Sequence, residues 1–284
     1  YDPDDMAWPN RDRFFLDPGH MSPLLYSILH LAGRYSTDDL RSFRQWESPT
    51  PGHPERDVLR GVENTSGPLG QGHAMAVGAA IVERFLAARF GEWLAHKTFV
   101  YVSDGAIQEE ISQATGRIAG HLGLASVVMF YDSNGIQLST SCSDVTSEDT
   151  ARKYEAWGWR TETIPGNDPA AIHAALTRAV AEREKPTLII GTTMMGKGAV
   201  TEAGEPYEGK CSTHGMPLSE AGASFAGTVR NLGGDPDDPF AVFPEVAAHY
   251  ARVTSAKRAQ AAARKSREAA WEAANPAAAR TLHE

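Results

Sequence analysis

The chain has 284 residues, enough for one large or two small domains with a sizeable core, and its 42% hydrophobic and 22% charged residues suit a globular protein. A net charge of −9 with no basic block to offset it argues against nucleic acid or an anionic membrane as partner, and no apolar run is long enough to span a bilayer. Two distant cysteines, Cys142 and Cys211, argue against a disulfide framework or a cysteine zinc site and suit a reducing cytoplasm.

Strands and helices alternate along the chain. Residues 13–16 read as a short strand, followed by a turn at Asp17-Pro18-Gly19-His20. A helix is predicted over 23–31, with Pro23 in its first turn and Gly33 near its end. Residues 47–72 are rich in Gly and Pro and lack periodicity, which reads as a long functional or disordered loop. A long helix should run over 72–89, its small residues permitting close packing. The apolar runs 98–102 and 126–131 read as buried parallel strands, with 109–122 as the crossover helix between them. A strand at 161–164, a helix at 169–184 and a strand at 187–192 follow. Residues 195–219 read as a second Gly-rich loop. From Pro244 the pattern is helical and mostly polar, which predicts a solvated helix or linker. The expected fold is α/β, an open, mostly parallel sheet with helices on both faces, over residues 1–250, followed by a helical tail or linker at 251–284.

The chemistry concentrates between Val100 and Ile136. Asp104-Gly105 ends one strand and Asp132-Ser133-Asn134-Gly135-Ile136 ends the next. In an open parallel sheet both ends face one ligand crevice. A carboxylate, a carboxamide and a backbone carbonyl suit a hard cation such as Mg²⁺ that also holds a diphosphate. Either turn alone is commonplace; the pair at neighbouring strand ends is the stronger signal. The glycine-rich segment from Gly61 to Gly72 runs into the long helix, but matches neither common phosphate-loop spacing. His20, His53, His73 and His214 lie in or beside loops; each alone fits a structural histidine, and His73, in a first helical turn, is ambiguous.

Taken together, these segments resemble the N-terminal thiamine-diphosphate-binding domain of transketolases. The resemblance runs from Arg11 to about Pro217. It rests on Asp12-Arg13-Phe14, Gly19-His20, Phe43-Arg44-Gln45, Pro51-Gly52-His53-Pro54-Glu55 and Gly67-Pro68-Leu69-Gly70-Gln71-Gly72. Asp104-Gly105, Glu109, Tyr131-Asp132-Ser133-Asn134-Gly135-Ile136, Asp149-Thr150-Ala151, Glu155-Ala156-Trp157-Gly158-Trp159 and His214-Gly215 extend it. The Asp-Gly…Asn pair belongs to thiamine-diphosphate enzymes at large. The Pro-Gly-His-Pro-Glu and Gly-Pro-Leu-Gly-Gln-Gly segments are far more specific to transketolases.

The resemblance implies the cofactor thiamine diphosphate with Mg²⁺ or Ca²⁺, and transfer of a two-carbon ketol unit between sugar phosphates. By the same resemblance, Asp104, Asn134 and the Ile136 carbonyl would hold the metal. Gly105, His20 and His214 would lie at the diphosphate or the nearby substrate, and Gly67 and Leu69 at the cofactor's bend. Leu138 and Met195 would give apolar contacts to its rings. His20, His53 and His214 would face the sugar, and Glu109 a dimer interface. A transketolase second domain, on a separate chain or on further sequence, would complete the site in a homodimer or heterotetramer. The chain departs from the family pattern at Ser103, where a Gly is usual before the metal-binding Asp, at Glu110, where Gly is common, at Asp17-Pro18 before Gly19-His20, and in a 196–213 loop longer than in many members. Deoxyxylulose-phosphate synthase and 2-oxoacid dehydrogenase subunits lack the Pro-Gly-His-Pro-Glu segment. A dihydroxyacetone-synthase-like relative and a non-catalytic protein of the same fold are the alternatives.

Overall fold

A computed structural model describes residues 1–214 and 216–284. Gly215, part of the His214-Gly215 pair and of the predicted 195–219 loop, lies outside the described residues. In chain order the elements are β1 (Arg13–Leu16), α1 (Ser22–Leu31), α2 (Thr37–Arg41), α3 (Gln71–Phe90), β2 (Thr98–Ser103), α4 (Asp104–Gln108) and α5 (Glu110–Leu122). There follow β3 (Val127–Ser133), α6 (Thr150–Ala156), β4 (Arg160–Pro165), α7 (Pro169–Ala181) and β5 (Thr187–Thr192). The chain continues with α8 (Leu218–Ala221), α9 (Phe225–Asn231), α10 (Pro244–Ala274) and α11 (Pro276–His283).

The five strands form one parallel sheet in the order β1-β2-β3-β5-β4. Alternation along each strand sends side chains to two different cores. Val100, Val102, Val127, Met129 and Tyr131 pack beneath Ala76, Val77 and Ala80 of α3 and Ala119 of α5. Val128 and Ile189 face the other way, against Ala175 and Ala179 of α7. On that same side Leu16 and Tyr101 meet Leu25, Tyr26 and Leu29 of α1. Helices therefore cover both faces, as the continuous apolar strands require.

Two differences from the sequence expectation bear on the site. Strands β2 and β3 each run past their predicted ends, to Ser103 and Ser133, so Asp104 is the first residue of α4. The predicted crossover helix is α5, but a short unpredicted helix, α4, precedes it; the two meet at Glu109, whose extended backbone (φ −60°, ψ 137°) separates them. Ser103 takes φ −110°, ψ 176°, an extended conformation open to any residue, and its hydroxyl accepts the Ala106 N–H as N-cap of α4. Replacing the usual glycine there adds a cap without backbone strain.

The polar tail is not free in solvent. Helix α10 folds back on the N-terminal segment: Arg258 pairs with Asp4, Lys265 with Asp2 and Asp5, and the Trp8 indole donates to Glu268. Trp271 packs against Phe90 and Trp93, with ring centroids 6.2 and 5.0 Å away. A pattern dominated by Ala, Lys, Arg and Glu conceals this docking because a few aromatic and charged side chains make it.

Candidate active site

Beyond the C-terminal ends of the strands lies a cavity of about 650 Å³. Every strand contributes to its wall through the segment that follows it: His20 after β1, Asp104 after β2, Asn134 after β3, Gly166 after β4 and Met195 after β5. The parallel sheet thus gathers residues distant in sequence into one crevice.

Asp104 is 2% exposed. One of its oxygens accepts the Tyr131 hydroxyl, and the other accepts the backbone N–H groups of Asn134 and Gly135 at 2.9 and 3.1 Å. The carboxylate thereby pins the turn after β3 to the end of β2. Asn134 Oδ1 accepts the Ile136 N–H at 3.0 Å. Ile136 pairs with Ser141 in an isolated antiparallel bridge whose hydrogen bonds run from Cys142 to Gly135 and from Gln137 to Thr140. The N–H and C=O of Ile136 itself therefore point away from Ser141, on the side where Asn134 receives the N–H. The Ile136 carbonyl, Asn134 Oδ1 and the Asp104 oxygen bonded to Tyr131 each keep lone-pair capacity. Among the described residues, no cluster of three or more His, Cys, Asp or Glu side chains can hold a metal. The mixed set at this turn offers three oxygen donors, which fits a hard divalent cation. A Cβ at Gly105 would stand 3.0 Å from Leu69 Cδ1, so glycine keeps the floor of the cavity open there.

Three of the four loop histidines converge. The His20 and His214 rings lie 5.0 Å apart. A Cβ on Gly19 would stand 3.0 Å from His53 Cδ2 and 3.1 Å from the Gly67 nitrogen, so His53 packs on the backbone beside His20 and Gly67. His53 is exposed at the rim, whereas His20 and His214 line the cavity. Burial, followed by the neighbouring His214, His53 and Arg44, pushes the His20 pKa down to about 4. Burial also lowers that of His214, and its Nδ1 is buried without a partner. Neutral imidazoles at pH 7 can each accept one hydrogen bond and donate another. His73 is excluded from this group: its ring is buried against Trp159, with centroids 6.4 Å apart, and neither ring nitrogen has a partner.

Leu69 and Met195 line the cavity; Glu109 stands exposed at its edge, and Leu138 is 74% exposed at its mouth. Two further carboxylates are built into the site. Asp17, fully buried, accepts the N–H groups of Gly70 and His73 at 2.9 Å each, and so caps the N-terminus of α3. Its pKa is raised by burial, against the lowering effect of those N–H donors. Asp132 accepts the hydroxyls of Tyr101 and Thr193. Sequence reading gave neither a role; the available signal was that each acidic residue stands at the C-terminal end of a strand. A second cavity of about 470 Å³ lies between α3 and the N-terminal segment, but its Arg13 and Glu63 already pair with each other.

The family model for the thiamine diphosphate binding domain of transketolase matches residues 1–284. The chain belongs to the transketolase family. It is 42% identical over 279 residues to the plasmid transketolase of Cupriavidus necator, covering 96% of this chain and 39% of that one. Among solved structures, transketolase from Leishmania mexicana superposes with a TM-score of 0.89 at 36% identity, covering 98% of this chain and 41% of that one. A Pichia stipitis transketolase in complex with sedoheptulose-7-phosphate superposes with a TM-score of 0.87 at 32% identity, covering 97% and 41%. The chain spans about two-fifths of the length of these transketolases.

Proposed function

We propose that the complete protein transfers a two-carbon ketol unit from a ketose phosphate to an aldose phosphate, and that this chain supplies the half of the site that holds diphosphate and metal. The observation that carries this reading is the oxygen-donor turn. Asp104, Asn134 and the Ile136 carbonyl meet at the ends of two adjacent parallel strands, beneath paired histidines. Asp104, Asn134 and Ile136 would hold Mg²⁺, or Ca²⁺, which accepts the same ligands. Gly105 leaves room for the diphosphate, Gly67 and Leu69 line the bend, and Leu138 and Met195 give apolar contacts to the rings. When bound, thiamine diphosphate supplies the nucleophilic carbon at which the C–C bond is broken and remade.

The chain's own residues bind and move protons. His20 and His214, uncharged at neutral pH, are placed to hydrogen-bond sugar hydroxyls and to take up or return a proton as the carbonyl forms and disappears. His53 at the rim would meet the more distant hydroxyls. Residues 1–250 form the binding domain, and 251–284 lead towards the second domain that closes the site. Glu109 would lie at the contact between two such domains in a homodimer or heterotetramer, in the cytoplasm.

The test uses the protein isolated from its source with whatever second-domain sequence accompanies it. Supplied with Mg²⁺, thiamine diphosphate, a ketose phosphate and an aldose phosphate, it should produce a ketose two carbons longer than the acceptor. Tight cofactor binding without any such product would reject ketol transfer.

A further inference from the structure

Among the described residues, Asp132 is the one buried carboxylate in the cavity wall that the metal turn leaves unused; Glu109 and Glu110 are exposed at its edge. It is 8% exposed and is the penultimate residue of β3, two residues before Asn134. Strand alternation places it on the α1 and α7 side of the sheet, with Phe130, whereas Tyr131 faces Asp104. Both of its oxygens accept hydroxyl protons, from Tyr101 at 2.9 Å and from Thr193 just beyond β5. Tyr101 is itself stacked on Phe130, with centroids 5.4 Å apart and planes 15° from parallel. The carboxylate is therefore held rigidly between the ends of three strands.

Neutral hydroxyls orient this charge but do not balance it. Among the described residues no Lys, Arg or His forms an ion pair with Asp132. His20, within electrostatic reach of it, is uncharged at neutral pH. A near-buried anion without a cation is costly unless a ligand brings the opposite charge. The metal turn on the same strand end would fix the anionic end of a ligand in this cavity, which leaves a cationic part of that ligand free to meet Asp132.

We propose that Asp132 is a cofactor-binding residue, the counter-charge for the cationic thiazolium ring of thiamine diphosphate. The inference rests on the cofactor assignment above and extends it to a specific charge pair. Asp132 then selects a cationic ring over a neutral one of the same shape, while Tyr101 and Thr193 keep the carboxylate in place.

The test compares two ligands on the protein isolated from its source, with saturating Mg²⁺. One is thiamine diphosphate; the other is its analogue with an uncharged thiophene in place of the thiazolium. Calorimetry should show Asp132→Asn weakening the cationic ligand by about tenfold or more, with little change for the neutral one. Asp132→Ser should repeat this result, and serves if the Asn variant does not fold. Tyr101→Phe, which keeps the charge, should preserve the discrimination. Equal losses for both ligands in Asp132→Asn, or no loss for either, would overturn the proposal. Loss of discrimination in Tyr101→Phe as large as in Asp132→Asn would do the same, because it would assign the effect to the brace. Failure of the unaltered protein to bind either ligand would instead refute the cofactor assignment itself.

Discussion

Asp104 does two jobs that its sequence neighbours cannot share. Its buried carboxylate ties the β3 turn to β2 through two backbone N–H groups and the Tyr131 hydroxyl, and it offers a remaining lone pair to a cation. Asp104→Ala should therefore weaken Mg²⁺-dependent thiamine diphosphate binding by roughly 10–100-fold, measured by titration of the apoprotein. Unchanged affinity would remove Asp104 from the metal set. The Asp-Gly and Asn-Gly pairs were legible because turn chemistry is local and strand periodicity places both at one sheet edge. Asp132 was not, because its function depends on which face of β3 it occupies and on Thr193, which lies beyond a different strand. Asp17 looked like a departure from the family pattern, and its purpose appears only when the α3 N-terminus is brought against it.

Helix α3 is the element that joins site and core. Its N-terminus approaches β1 so closely that a Cβ on Gly72 would stand 2.6 Å from the Asp17 Cα, a backbone atom that cannot turn aside. Gly72→Ala should cost about 1–3 kcal/mol in chemical denaturation and displace the Gly67–Leu69 loop with the helix. In the first turn of the helix, His73 is fully buried, and burial lowers its pKa from 6.5 to about 4. Unfolded His73 takes up a proton at a higher pH than folded His73 does. The stability this confers is complete above pH 6.5 and is lost as pH falls towards 4, amounting to about 2 kcal/mol by pH 5. His73→Leu should flatten the melting temperature between pH 7 and pH 5, and an equally steep decline in that variant would assign the acid sensitivity elsewhere. The helix itself was legible from its small residues and from the glycines ahead of it. The ambiguity of His73 was not resolvable, because only packing against Trp159 distinguishes a core ring from a ligand-facing one.

At the scale of the whole molecule, the sheet and its two covering layers were readable because alternating strands and helices leave few topologies. The docking of α10 was not, since it depends on Trp271 meeting Phe90 and Trp93 across the chain. The outer surfaces of α3 and α5 carry Val82, Phe85 and Ile118, which are 55%, 57% and 49% exposed. Apolar side chains grouped on neighbouring helices suit the expected subunit contact better than open solvent. Phe85→Asp should shift the complete protein towards a smaller species in sedimentation, and unaltered sedimentation would place the contact elsewhere. The central claim concerns the oxygen-donor turn and is tested most directly by crystallography of the complete protein with thiamine diphosphate and Mn²⁺ in place of Mg²⁺. The account predicts an anomalous peak bonded to Asp104, Asn134 and the Ile136 carbonyl, between them and the diphosphate. A bound cofactor whose metal peak lies away from those three oxygens would contradict it.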